Sequence, residues 1–195
     1  MAKRVILITG TPCVGKTTVA NLLTTKLDGL YVNLTDLALE KKLILGKDRK
    51  RKSVIVDEGR MKRRIRKVIR ESEKADVIVD GHYAASVVPK ELVSYVFVLR
   101  RDPVELQTMM MNCGFSEQKM WENLASEILD VCLVEALNVC GKAEVCELNV
   151  TGKSARKILN EILKVLQGKS SCQVGIVDWL GKLEKEGLLD EYLRI

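Results

Sequence analysis

The sequence predicts an α/β fold, a parallel sheet with helices on both faces, and three observations carry that expectation. Short apolar runs alternate with helical periodicities along the 195 residues. The first run ends in Gly10-Thr11-Pro12-Cys13-Val14-Gly15-Lys16-Thr17, a G-x-x-x-x-G-K-T pattern. A later run, Val77-Ile78-Val79, ends in Asp80. At 47% hydrophobic residues the chain can bury one sizeable core, so one domain is the default.

Each element has its own local reason. Val5-Ile6-Leu7-Ile8-Thr9 is β-branched and apolar and stops at Gly10, as a buried parallel strand does. Val19, Leu22, Leu23 and Leu27 then keep helical spacing, and Asp28-Gly29 ends that helix. Leu30-Tyr31-Val32-Asn33 reads as a second strand, with Thr35 or Asp36 capping a helix to about Leu43. Residues 46–53 are polar and basic and read as a mobile excursion. A helix from about Glu58 to Glu73 leads to the strand at Val77, and Tyr95-Val96-Phe97-Val98-Leu99 is a further strand. Asp102-Pro103 opens a helix, since Asp caps and Pro fits the first turn, and Cys113-Gly114-Phe115 breaks it. Ser116 begins one long amphipathic helix to about Val139. Glu144 to Leu148 is the last strand, followed by a helix from about Ser154 to Leu166 and a tail helix from about Val177 to Tyr192.

The net charge of +6 is unevenly spread. Between Lys41 and Lys74 fifteen Lys or Arg face five Asp or Glu, a local +10 that leaves −4 for the remainder. Such a run is either a solvated helix face or a surface for polyanions, substrate phosphates or RNA. Six cysteines at irregular spacing, with no C-x-x-C pair, indicate neither a zinc site nor a disulfide framework. Most of them read as small core residues in a reducing compartment. No apolar stretch is long enough to span a membrane, and the run after Lys3-Arg4 is too short for a signal-peptide core, so a cytoplasmic protein with no membrane partner is expected.

The G-x-x-x-x-G-K-T pattern sits between a strand and a helix, where its chemistry requires it. Glycines let main-chain N–H groups curl around phosphates, and the helix N-terminus adds partial positive charge. Lys16 would reach the β and γ phosphates of ATP, and the Thr17 hydroxyl would ligate Mg²⁺. Asp80, at the carboxyl end of an apolar strand, would point into the same crevice and hold the metal through water. An Asp after a strand is also an ordinary turn residue. His82 is the only histidine, and two residues past Asp80 it could orient a water or a phosphate.

Gly10 to Thr18, VNLTDLA (Val32 to Ala38), VDEGR (Val56 to Arg60), VIVDGH (Val77 to His82), VFVLRRDP (Val96 to Pro103) and CGFSEQKMWEN (Cys113 to Asn123) together resemble the atypical adenylate kinase family. That family is shared by archaea and eukaryotic nuclei and is associated with small-ribosomal-subunit maturation. The resemblance runs from about residue 4 to 166, and the tail with Val177-Asp178-Trp179-Leu180 resembles an extension of archaeal members. It implies a P-loop nucleoside-monophosphate-kinase-like three-layer fold with a five-stranded parallel sheet. The kinase-like domain would span 1–167, with a monophosphate-binding insertion near 33–56, a lid near 111–121 and a helical extension at 168–195. The implied reaction is ATP plus AMP giving two ADP, with a slower ATP hydrolysis linked to rRNA processing. Mg²⁺ is the implied cofactor, and the implied partners are ATP, AMP, a small-subunit ribosomal protein and rRNA.

Carried onto this chain, the resemblance implies Lys16, Asp80 and His82 as catalytic residues, with Thr17 and Asp80 at the metal. Nucleotide contacts would come from Gly10, Cys13, Val14, Gly15, Lys16, Thr17 and Thr18, and from Arg100, Cys113 and Lys153, the last lining the adenine. AMP would meet Asn33, Asp36, Asp57 and Glu58. The chain also departs from the pattern. Cys13 replaces a glycine, tolerable if its φ stays negative. Leu39, Met109 and Cys113 stand where arginines are expected, and one well-placed arginine is worth about 10³ to 10⁵ in rate. Arg100, Arg101, Lys119, Arg49 and Arg60 are the nearby cations. Three readings therefore stand: an adenylate kinase, an ATPase switch in ribosome assembly, or a P-loop kinase for another small acceptor.

Overall fold

The computed structural model describes residues 3–48 and 53–193. In chain order the elements are β1 (Arg4–Thr9), α1 (Lys16–Leu27), β2 (Leu30–Asn33), α2 (Leu34–Glu40), β3 (Ile44–Asp48), β4 (Ser53–Val56), α3 (Glu58–Glu71), β5 (Asp76–Asp80) and α4 (Ala84–Val87). They continue as β6 (Val93–Arg100), α5 (Pro103–Asn112), α6 (Glu117–Ile128), α7 (Val131–Cys140), β7 (Val145–Asn149), α8 (Ala155–Leu166), α9 (Trp179–Glu186) and α10 (Leu189–Tyr192). Five strands form one sheet in the order β2-β5-β1-β6-β7, every neighbouring pair parallel. β3 and β4 form a separate antiparallel hairpin.

Side chains alternate across a strand, so each strand feeds two cores. Ile6 and Ile8 join Val19, Leu23, Leu106, Leu124 and Ile158 on one face. Val5 and Leu7 join Leu37, Met61, Ile65, Leu133 and Ala136 on the other. The result is three layers, helix on sheet on helix. Strands buried on both faces have to be apolar throughout, which is why they were readable as unbroken runs. No helix among the described residues is long and apolar enough to cross a membrane.

Several local readings change. The cap of α2 is Asn33, whose side chain accepts from the N–H groups of Thr35 and Asp36, so the helix starts earlier than a Thr35 or Asp36 cap would allow. Part of the basic excursion is the β3–β4 hairpin, and residues 49–52, with Arg49, lie outside the described residues. The single long helix expected from Ser116 to Val139 is two. Asp130 adopts φ 58°, and the chain passes from the core face of Leu124 and Ile128 to that of Leu133 and Ala136. The tail helix is likewise broken, at Gly187 with φ 68°.

The cysteine reading is corrected as well. Cys146 in β7 and Cys172 are joined as a disulfide, with Cα atoms 4.5 Å apart. The chain after α8 runs back along β7, where the Glu147 N–H donates to the Gln173 carbonyl at 2.8 Å, and this return brings Cys172 to Cys146. A 26-residue separation gives no hint of it. Cys13, Cys113, Cys132 and Cys140 remain free.

Candidate functional site

The loop between β1 and α1 curls because its residues demand it. Gly10 has φ 135°, and a Cβ there would lie 2.4 Å from the Leu99 carbonyl oxygen, so only glycine lets the loop leave the sheet beside β6. Cys13 also has positive φ, 68°, contrary to the condition under which its replacement of glycine is free of strain. Gly15 caps α1 with φ 103° and leaves the first N–H groups of the helix without a side-chain cap, facing the loop interior. Val14 is fully buried beneath the loop, and the hydroxyl-bearing Thr17 and Thr18 are exposed at its rim.

Lys16, Thr17 and Asp80 meet at the carboxyl ends of β1 and β5. The Lys16 ammonium donates to the Thr11 carbonyl at 2.8 Å, folded back over the loop. Burial lowers its pKa, and the Asp80 carboxylate opposes that shift. Asp80 is 1% exposed and accepts three hydrogen bonds on Oδ2, from Thr17 Oγ1 at 2.6 Å, Tyr31 Oη at 2.9 Å and Asn33 Nδ2 at 3.1 Å. Neighbouring strands align this group: Ile8 and Asn33 both pair with Asp80 in the sheet register. A hydroxyl and a carboxylate beside an anion-binding loop are the oxygen donors that Mg²⁺ prefers, and with phosphate oxygens and water they fit that ion.

His82 follows on the turn after β5 and is open to solvent. Desolvation in the cleft, then the positive charges of Lys16 and Lys119, push its pKa down to about 4 against the opposing pull of Asp80. Its exposure screens part of that shift, and the imidazole is neutral at pH 7. Lys119 rises from the start of α6 over the Phe115 ring, 5.4 Å from its centroid. Two of the positions that set this chain apart also lie close together, because Cys113 is among the neighbours that shift the Cys13 thiol. Burial and this neighbour raise the Cys13 pKa to about 11.

Other expected residues stand elsewhere. Arg100 is corrected: at 1% exposure its guanidinium binds Glu127 Oε1 at 2.8 Å, Glu147 Oε1 at 2.8 Å, the Glu127 carbonyl at 2.8 Å and the Asp130 carboxylate, so its donors serve the core and not a nucleotide. Arg101 pairs with Glu105 and donates to the Val14 carbonyl at 3.3 Å, bracing the loop from behind. Lys153, in the turn after β7, pairs with Glu161 at 2.9 Å. Asp57 caps α3 through the Arg60 N–H at 2.9 Å, with exposed Glu58 beside it, and Asp36 lies exposed in the first turn of α2. Leu39 is exposed on α2, and Arg60 donates to the Lys42 carbonyl at 3.3 Å.

Sequence reading missed Tyr31, Glu127 and Trp179. Glu127 had a visible signal, a carboxylate in phase with Met120, Leu124 and Ile128 on the buried stripe of α6. Tyr31 had none beyond strand alternation.

Comparison with known proteins follows the same lines. A family model described as an AAA domain matches residues 6–130. A Pyrococcus furiosus protein named "Putative adenylate kinase" is 38% identical over 193 residues, covering 98% of each chain. One of the same name from Methanococcus maripaludis is 36% identical over 181 residues, 90% of this chain and 95% of its own. The chain belongs to this adenylate-kinase-like P-loop family. Two solved structures share its fold at low identity. Shikimate kinase from Acinetobacter baumannii gives a TM-score of 0.61 at 16% identity, over 86% of this chain and 95% of its own. Thymidylate kinase from Candida albicans gives 0.54 at 15%, over 88% and 97%.

Proposed function

We propose that the chain is an adenylate-kinase-type phosphotransferase that moves the γ-phosphoryl of ATP to AMP, giving two ADP. The observation that carries this reading is the convergence of Lys16, Thr17 and Asp80 at the loop mouth, in a chain whose relatives bear the adenylate kinase name. An AMP phosphate oxygen bonds to the γ-phosphorus as the bond to the β–γ bridging oxygen breaks, and ADP leaves with that electron pair. Catalysis of such a transfer is positioning and charge neutralisation. Lys16 exchanges the Thr11 carbonyl for the β and γ phosphates, and the loop N–H groups from Cys13 to Thr18 cradle them. Thr17 and Asp80 would hold Mg²⁺, which when bound would neutralise part of the phosphate charge. Tyr31 and Asn33 keep the Asp80 carboxylate turned toward the loop. Neutral His82 donates or accepts a hydrogen bond at the acceptor side, with Lys119 as the lid cation in place of the missing arginines.

Asn33, Asp36, Asp57 and Glu58, at the two ends of the hairpin segment, form the proposed AMP side, and Lys153 the adenine side. A second reading has one specific support, the apolar or thiol side chains at Leu39, Met109 and Cys113. Without those arginines, transfer to AMP is slow and ATP hydrolysis governs a cytoplasmic switch in small-subunit maturation, with the basic 41–74 segment toward rRNA. A coupled assay separates the readings. ADP formation that requires AMP supports the kinase, phosphate release independent of AMP supports the switch, and turnover only with a third acceptor supports neither. Lys16→Ala should lower whichever activity exists by at least about a hundredfold. Unchanged turnover in that variant would place the phosphates elsewhere.

A further inference from the structure

A carboxylate removed from water has to be fully paired. Glu127 is 1% exposed, and its side chain collects four donors from three parts of the chain. Oε1 accepts from Arg100 Nε at 2.8 Å, the Arg101 N–H at 3.1 Å and the Trp179 indole N–H at 3.0 Å. Oε2 accepts from the hydroxyl of Thr11. Thr11 belongs to the phosphate loop, and its carbonyl is the acceptor for Lys16. Trp179 is the first residue of α9, in the C-terminal tail. One carboxylate thus joins the tail to the loop.

The tail is held in place by independent contacts. Lys182 pairs with Asp102, Tyr192 Oη donates to Gln107 Oε1 at 2.9 Å, and the Ile176 N–H donates to Glu147 Oε2 at 2.9 Å. Trp179, Leu183 and Tyr192 are buried in the same core as Val19, Ala20 and Leu23 of α1. With the indole removed, Glu127 keeps Arg100 and the Arg101 N–H, so the charge stays paired while the carboxylate loses one of its fixed directions.

We propose that Trp179 is a positioning residue for the nucleotide site: its indole fixes the Glu127 carboxylate, Glu127 fixes Thr11, and the affinity of the phosphate loop therefore depends on the docked tail. The proposal rests on the reading of residues 10–17 as the phosphate loop. By linkage, a nucleotide that needs the ordered loop must in turn tighten the tail.

The test is calorimetry on the full chain with Mg²⁺ and the non-hydrolysable analogue AMPPNP, at a temperature where far-ultraviolet circular dichroism finds every variant folded. Trp179→Phe keeps the aromatic packing and removes the N–H donor. Thr11→Val removes the donor at the other end. Each should weaken binding about tenfold, the effect of losing one hydrogen bond to a charged acceptor. The double variant should lose little more than either single one, because both cut the same relay. Lys182→Ala, which loosens the tail without touching Glu127, should weaken binding by a smaller factor. Unchanged affinity in Trp179→Phe, or losses that multiply to about a hundredfold in the double variant, would overturn the relay. If the wild-type chain itself takes up no AMPPNP, the loop reading fails first and the relay with it. Should Trp179→Phe not fold, hydrogen exchange reads the coupling from the other side. AMPPNP should protect the amides of 179–186 in the wild type and not in Thr11→Val, and equal protection in both would sink the proposal.

Discussion

Cys13 is strained in the loop. Its φ of 68° lies in the left-handed region, where a Cβ costs about 1–2 kcal/mol. Cys13→Gly should recover most of that cost, less about 0.4–1 kcal/mol for the freer unfolded chain. The expected outcome is a gain of about 0.5–1 kcal/mol, read as a Tm rise of about 1–4 °C; a fall in Tm would mean that the contact with Cys113 outweighs the strain. His82 makes a separate prediction. Its folded pKa lies below the ordinary 6.5, so between the two values the unfolded chain holds the extra proton. Stability from this group is complete above pH 6.5 and declines as pH falls toward about 4. Titration of the imidazole C–H resonance should give a midpoint clearly below 6.5, and a midpoint at or above it would remove Lys16 and Lys119 from the neighbourhood of the ring.

At the scale of elements, the buried ion cluster decides how β6, α6 and β7 fit together. Arg100 comes from β6, Glu127 and Asp130 from α6 and its end, and Glu147 from β7. Taking away the cation strands two buried carboxylates, a loss of about 3–5 kcal/mol. Arg100→Leu should therefore shift the urea midpoint well down, whereas a nucleotide-contacting arginine would leave the midpoint intact and reduce only binding. The same cluster marks the boundary of what sequence could reveal. Strands β1, β5 and β6 were legible because burial on both faces forces unbroken apolar runs, and α5 because Asp102-Pro103 announces its start. The break between α6 and α7 was not legible, since the apolar spacing runs on through Asp130 while the chain changes faces of the sheet. At the site, the phosphate loop and Asp80 could be read from local pattern. Tyr31, the Glu127 relay and the Cys146–Cys172 pair depend on residues 26 to 116 positions apart. No local period encodes them.

Over the whole molecule the charge distribution follows from the topology. The described cations of α3 lie on the helix whose Met61, Ile65 and Ile69 join one core of the sheet, whereas Trp179 and Leu183 of the tail join the other. Met61, Ile65 and Ile69 face the core, leaving Lys62, Arg63, Lys67 and Arg70 exposed on α3. A helix so strongly divided needs its apolar stripe only for packing, and its cationic face is available to a polyanion. If single-stranded RNA is that polyanion, binding releases counterions, and log K falls linearly with log salt at about −0.7 per phosphate neutralised. Replacing Lys62, Arg63 and Lys67 by Ser should lower the magnitude of that slope by about 2, measured by fluorescence anisotropy of a labelled oligonucleotide from low to physiological salt. An unchanged slope would assign RNA contact to another face, and a flat dependence in the wild type would make the basic run a solvated helix surface with no polyanion to hold.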